Sequence, residues 1–306
     1  MPPREGPFHA GERALQEAAG VAERMAAVGR KVIRDHMPEQ HRELFEKLPT
    51  IFVGALDEAG QPWATLLCGP PGFVRAPDER TLRIDALPAL EDPAGAGLRV
   101  GAAVGVLGLE PRTRRRNRAN GAVVDAADTW SLRVAQSFGN CPKYIHARDP
   151  IARPDRTPGP TQREGTVLSD AARRIVEGSD TIFLASSSDA RLAPGDVDAG
   201  SSAGVDVSHR GGRVGFVEIR RGEGGDELSF DDYPGNQMWD TLGNLLLWPA
   251  AGLLFLDWVQ GDVLQLAATA VVEEDRRLRL QLRGGVLRPA AMPLSWSAPE
   301  APAQLR

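Results

Sequence analysis

Three short stretches of the chain carry residue types that can do chemistry. The first, Gln136-Ser137-Phe138-Gly139-Asn140-Cys141-Pro142-Lys143-Tyr144-Ile145, sets an amide, a thiol and an amine around a turn. Gly, Asn and Pro form turns for conformational reasons alone, so a structural turn is one reading and a loop offering Asn140 and Lys143 to a polar ligand is the other. Cys141 has only Lys143 as an activating sequence neighbour, a weak basis for a nucleophile. The second stretch, Arg112-Thr113-Arg114-Arg115-Arg116-Asn117-Arg118, concentrates positive charge. On a strand, alternation puts Arg114, Arg116 and Arg118 on one face and Arg115 and Asn117 on the other. Such a face is either a charged edge that discourages strand pairing between molecules or an anion site, where forked guanidinium donors meet phosphate oxygens. The third, Ser208-His209-Arg210, runs into Gly211-Gly212, and Asn236, Thr241, Gly243 and Asn244 follow Pro234 around a turn and a helix start. An arginine on a strand, with hydroxyl and amide groups near a helix N-terminus, can hold a phosphate dianion. His209 taken alone reads more simply as a structural histidine.

Other chemistries find little support. No Gly-x-Gly-x-x-Gly stands between a strand and a helix, and there is no Walker-type lysine loop and no Gly-x-Ser-x-Gly elbow. The histidines His9, His36, His41, His146 and His209 lack metal-ligand spacing, and Cys68 and Cys141 are too few for a disulfide scaffold or a thiolate site. No metal centre is expected, and the cysteine usage fits a reducing compartment. Over 306 residues, 36 Lys plus Arg face 41 Asp plus Glu, a net charge of -5 that repels polyanions. Nucleic acid is therefore not an expected partner, and a barrel gripping it through Arg112 to Arg118 is a minor rival. Met1 to Arg13 has no apolar block, and the longest apolar run, Leu245 to Leu256, contains Pro249 and falls short of the ~18 residues of a membrane span. A cytoplasmic protein without a membrane segment is expected.

The elements that must position these residues follow from periodicity. Apolar residues at spacings of three and four predict one amphipathic helix over Glu12 to Ala27, ended by Gly29. A second helix, Glu39 to Lys47, leads into the strand Thr50-Ile51-Phe52-Val53. The order returns later: a helix Ser169 to Glu177, with Ser169 as N-cap, leads into Thr181-Ile182-Phe183-Leu184. Four anchor pairs recur in the same order: Thr50-Ile51-Phe52 with Thr181-Ile182-Phe183, Gly72-Phe73-Val74 with Gly215-Phe216-Val217, Pro88 with Pro234, and Gly105-Val106-Leu107 with Gly252-Leu253-Leu254. Their offsets only grow, from 131 to 143, 146 and 147 positions, as expected of a duplicated unit whose second copy gained loop insertions. Short strands punctuated by Gly, Pro, Asp and Ser favour small antiparallel barrels. Thr65-Leu66-Leu67-Cys68 takes the place of Ser208-His209-Arg210-Gly211, so an anion site of that kind survives in one copy only.

The chain resembles the pyridoxamine 5′-phosphate oxidase-like flavoproteins, in particular their double-barrel branch. The resemblance rests on Phe8-His9-x-Gly11-Glu12, Ile33-Arg34-Asp35-x-Met37-Pro38-x-Gln40-His41-Arg42, Pro62-Trp63-Ala64, Gly72-Phe73, Gln136 to Ile145 and Thr241-Leu242-Gly243-Asn244-Leu245. It implies a mainly β fold with peripheral helices, two tandem antiparallel split β-barrels that pair within one chain as a pseudo-dimer. The expected divisions are residues 1–48 as helices packing on the barrels, 49–145 and 166–290 as barrels, 146–165 as linker and 291–306 as tail. The implied cofactor is FMN, held in the cleft between barrels by Ser208, His209 and Arg210, by Asn236 and Thr241 to Asn244, and by Gln265 from a later strand. Arg116 and Arg118, with Asn140 and Lys143, would approach from the first barrel. The family's Arg and Lys pair is not matched, since no Lys stands near Arg210, so vitamin B6 oxidation is not expected. The implied activity is flavin-mediated electron or hydride transfer to a small-molecule substrate, with electrons from a separate donor, a nicotinamide or a reductase. A non-catalytic store or sensor of flavin or haem is the rival, and association of two chains is left open.

Overall fold

The β-branched and aromatic runs that open each half become strands of two separate sheets. A computed structural model describes residues 6–192, 196–197 and 201–305. Three helices come first: α1 (Ala10–Ala18), α2 (Ala22–Val32) and α3 (Glu39–Lys47). The first sheet holds β1 (Thr50–Leu56), β2 (Pro62–Cys68), β3 (Val74–Asp78), β4 (Thr81–Ile84), β5 (Ala103–Glu110), β6 (Arg115–Ala126) and β7 (Trp130–Gly139). The connector carries β8 (Pro150–Ala152) and β9 (Gln162–Glu164), and α4 (Asp170–Glu177) leads into the second sheet. That sheet holds β10 (Thr181–Ser187), β11 (Val205–Gly211), β12 (Glu218–Gly222), β13 (Gly225–Asp231), β14 (Ala250–Leu256), β15 (Val263–Val272) and β16 (Arg277–Arg288), and β9 joins it by pairing with β16. Helix α5 (Asp240–Leu247) precedes β14, and β17 (Leu294–Trp296) returns to pair with β8.

The strand orders are β2-β1-β5-β6-β7-β4-β3 and β11-β10-β14-β15-β16-β13-β12, so each strand of the first sheet has its counterpart nine labels later. Neighbouring strands are antiparallel throughout, which short Gly- and Asp-rich turns permit and a βαβ array would not. The protein is thus mainly β with peripheral helices, two antiparallel split barrels paired within one chain. Each barrel has its own core, one around Phe45, Ile51, Val106 and Trp130 and the other around Ile182, Phe230, Leu253 and Leu280. A third apolar cluster fills the seam between them. At its centre Phe52 stacks on Phe183, with ring centroids 3.5 Å apart and planes 14° from parallel. These two rings are corresponding residues of β1 and β10, so the seam is self-complementary about a local two-fold, like the interface of a symmetric dimer. Gly105 of β5 abuts the β11 backbone at Val205, and its counterpart Gly252 of β14 abuts the β2 backbone at Pro62. A side chain at either glycine would push the sheets apart.

The N-terminal segment departs from the expected single helix. Gly20, at φ 66°, takes the left-handed conformation and turns the chain between α1 and α2. Helix α2 then runs past Gly29, because that glycine lets the Phe8 ring approach rather than capping the helix. His9 and Glu12 form a reciprocal cap at the head of α1. Gly11 crosses Gly243 of α5 so closely that a Cβ there would overlap the Gly243 carbonyl. Gly11→Ala is therefore expected to cost about 2 kcal/mol of stability through overpacking, measured by denaturant unfolding; a neutral change would show that the two helices separate freely.

Candidate functional site

Strand β6 meets the seam with Arg116, Arg118 and Asn120 reaching residues of the second barrel. Arg118, 4% exposed, donates from Nη1 to Asp206 Oδ2 at 2.9 Å and to Asp240 Oδ2 at 2.8 Å, and from Nη2 to the Ser208 hydroxyl. The Thr241 hydroxyl bonds to Ser208 Oγ at 2.8 Å, and Asn120 Nδ2 donates to Asp206 Oδ1 at 2.7 Å. Arg118 is thus committed to carboxylates. Arg116, one step nearer the opening, is not: its Nε donates to the Cys141 carbonyl at 2.9 Å and Nη1 reaches the His209 carbonyl at 3.4 Å. Among the described residues no carboxylate pairs with it. Burial, reinforced by the neighbouring Arg118 and Arg210, brings its pKa down to about 10, although the nearby Cys141 pulls the other way. Arg210 is held by Asp232, Nε to Oδ1 at 2.5 Å. Burial together with Arg116 and Arg210 holds the His209 imidazole well below its ordinary range, so it is neutral at pH 7.

These groups line a cavity of about 80 Å3 at the seam, bounded by Arg116, Arg118, Asn140, Cys141, Lys143 and Tyr144 from the first half. From the second come Ser208, His209, Arg210, Phe216, Asp232, Tyr233, Asn236, Trp239, Asp240 and Thr241. Nine of the residues expected from sequence meet here: Arg116, Arg118, Asn140, Lys143, Ser208, His209, Arg210, Asn236 and Thr241. Gly243 and Asn244 face elsewhere, the first against Glu12 and the second bonded to Ser186 Oγ at 3.1 Å. Arg114 is not on the strand; it occupies the preceding turn at φ 57°. Asp206, Asp232, Tyr233, Trp239 and Asp240 were not anticipated. Asp206 was discoverable, since it lies two residues before Ser208 on the same strand face. Three bulky rim residues, Tyr144, Gln237 and Trp239, hold left-handed φ values of 63°, 63° and 59°. Such conformations cost about 1–3 kcal/mol each and gather where a rim is over-determined by its surroundings.

Beneath the cavity, Glu12, Asp206 and Asp240 group around the single Arg118. Burial, followed by the Asp240 charge, raises Glu12 well above its ordinary value, and burial, opposed by Arg118 and seconded by Asp240, raises Asp206 to about 6. The folded state therefore binds more protons than the unfolded chain between about pH 4 and about 6, and its stability from these groups falls as pH rises through that window. Glu12→Gln keeps an acceptor for the His9 amide, 2.8 Å away in the parent, and removes one ionisation. The variant should gain stability relative to the parent as pH rises from about 4.5 to about 7 in thermal unfolding. A difference that stays constant with pH would show that Glu12 ionises normally.

The local two-fold generates a counterpart of this arrangement. By strand register Gln265 of β15 corresponds to Arg118, and Thr65 of β2 to Ser208; Asp92, at the head of the turn before β5, corresponds to Asp240. Gln265 Nε2 donates to Asp92 Oδ1 at 2.8 Å and to the Ala64 carbonyl at 2.9 Å, and the Thr65 hydroxyl bonds to Asp92 Oδ2. Here Arg288 of β16 fills the centre, donating from Nη2 to Asp92 Oδ2 at 2.7 Å and from Nε to Gln265 Oε1 at 3.1 Å. All four side chains are buried. The position corresponding to Arg288 in the open arrangement is Asn140, whose Oδ1 has no partner among the described residues. One copy of the site is closed by the protein's own ion pair; the other is lined by an arginine without a carboxylate.

Residues 37–157 match the family model described as Pyridoxamine 5'-phosphate oxidase. The match covers α3, the first barrel and part of the connector, and so includes Arg116, Arg118, Asn140 and Lys143. A search of curated proteins gives no match. Among solved structures, HupZ of Group A Streptococcus is 12% identical, covering 34% of this chain and 93% of that one with a TM-score of 0.26. The Bacillus subtilis inhibitor of motility MotI/DgrA is 8% identical over 80% of this chain and 88% of that one, at a TM-score of 0.21. The MrkH–c-di-GMP complex from K. pneumonia is 8% identical over 84% and 87%, at 0.24. Among the described residues no helix is long and apolar enough to cross a membrane.

Proposed function

We propose that the chain, whose residues 37–157 match the pyridoxamine 5′-phosphate oxidase family model, binds one FMN in the open seam cleft and serves as a flavin-dependent oxidoreductase. The observation that carries this reading is Arg116, a cation in the cleft wall with no carboxylate partner among the described residues and a pKa lowered by burial. A dianion beside it would relieve the burial cost of that charge and receive charge-assisted hydrogen bonds. Lys143 at the rim and Arg210, shared with Asp232, would complete the phosphate contacts, and the Ser208 and Thr241 hydroxyls stand within the same wall. The cavity of about 80 Å3 suits a phosphate-sized group and lies below the ~300 Å3 of clefts that bury a whole small molecule. The ring therefore belongs at the mouth.

Bound FMN supplies the electron or hydride transfer, and the chain's residues position it and set its electrostatic surroundings. Neutral His209 keeps a third full positive charge from the Arg116 and Arg210 pair. The counterpart around Asp92 and Arg288 is already filled by its own side chains, so one ligand per chain is proposed rather than two. The test is the visible spectrum of the purified protein or of protein loaded with FMN, with the flavin released by heat and counted. One equivalent per chain is expected. Two equivalents would contradict the closed counterpart, and none after loading would remove the reading. Anaerobic reduction with a nicotinamide donor, followed by exposure to acceptors, then separates an oxidoreductase from a store or sensor. A donor from this class and a small-molecule acceptor are the partners this function requires.

A further inference from the structure

The chain contains only two tyrosines, and both stand at the mouth of this one cleft, Tyr144 from the first half and Tyr233 from the second. Their rings face each other across the seam with centroids 5.0 Å apart and planes 28° from parallel. Core packing does not require them there: Tyr233 is 37% exposed, and the Tyr144 hydroxyl makes a long bond, 3.4 Å, to the Pro234 carbonyl. Tyr144 also holds the left-handed backbone, at φ 63°, that aims its ring toward the opposite half. Behind the pair lies the cavity of about 80 Å3 with Arg116 in its wall, a volume that suits an anionic group.

Resting on the FMN reading above, we propose that Tyr144 and Tyr233 are the specificity-determining contacts of the cleft. They part to take the planar ring of a phosphorylated heterocycle between them while Arg116 holds its phosphate. The stack seen between the two phenols is the surface such a ring replaces, since offset-stacked aromatic faces are interchangeable partners. Selection is thereby divided. The arginine accepts any phosphate monoester, and the tyrosines admit only those that carry a flat aromatic ring.

Because there are two tyrosines and no others, tyrosine labelled at the single ζ ring carbon gives two magnetic resonance signals, and both report on this mouth. The full chain is titrated with FMN and, separately, with ribose 5-phosphate. FMN is expected to shift both tyrosine signals by its ring current and to lose fluorescence on binding, whereas ribose 5-phosphate leaves the tyrosines nearly unmoved. The double variant Tyr144→Leu, Tyr233→Leu should weaken FMN by at least about tenfold and ribose 5-phosphate by less than about twofold, as expected for lost stacking. Bound FMN with unmoved tyrosine signals, or equal weakening of the two ligands, overturns the tyrosine assignment and leaves the FMN reading in place. Failure of FMN to bind the parent overturns that reading and the tyrosine assignment with it.

Discussion

Arg116→Met is expected to weaken FMN binding on the order of 100-fold while leaving the unfolding free energy of the ligand-free protein within about 1 kcal/mol of the parent. The first figure follows from the loss of a charge-assisted pair to phosphate, about 2–3 kcal/mol. The second follows from the present state of the guanidinium. It donates to two backbone carbonyls, at 2.9 and 3.4 Å, and stands half-buried beside Arg118 and Arg210 with its pKa brought down to about 10. Methionine covers the same apolar stem and removes that charge, which offsets the lost hydrogen bonds. Arg118→Met would behave differently, because it leaves Asp206 and Asp240 without their cation and destabilises the fold whether or not a ligand is present. Arg210→Ala also weakens binding, but it frees Asp232 to repel phosphate and so mixes two effects. Isothermal titration beside denaturant unfolding separates the three. If Arg116→Met loses stability as much as affinity, the arginine is structural and the cleft is not an anion site.

That Arg116 and not Arg210 is the cation without a carboxylate could not be read from the chain. Both sit on strands, both were expected near phosphate, and sequence carries no sign of which guanidinium is already paired. Pairing is settled by residues distant in sequence: Asp232 for Arg210, Asp206 and Asp240 for Arg118. The fold was more legible. Thr50 and Thr181 open β1 and β10, and Gly105 and Gly252 take equivalent places in β5 and β14, because strand starts and close backbone approaches constrain residue type locally. The single N-terminal helix was mistaken because spacing alone cannot show that Gly20 adopts a positive φ. Gln265, expected in the cleft from resemblance, stands in the closed counterpart instead, since the two-fold carries its strand to the opposite side of the seam. A symmetry-related position looks the same in sequence as the site itself.

That symmetry yields the other large effect. Asp92→Ala is expected to destabilise the protein by about 3–5 kcal/mol, a fall of roughly 10 °C in Tm, the cost of leaving a buried cation without its partner. Asp92 accepts bonds from the Thr65 hydroxyl, Gln265 Nε2 at 2.8 Å, Arg288 Nη2 at 2.7 Å and the Ala94 amide at 3.0 Å. Its removal strips all four donors at once and leaves Arg288, only 8% exposed, with no carboxylate partner among the described residues. The loss should be mostly recovered by Asp92→Leu combined with Arg288→Met, because two apolar side chains of similar volume remove the desolvation cost along with the attraction. FMN stoichiometry should stay at one in that double variant, since closing the counterpart requires filled volume and not charge. A cost below about 1 kcal/mol for Asp92→Ala would mean that solvent already reaches Arg288. The counterpart would then be a second cleft, and the chain would have room for two ligands.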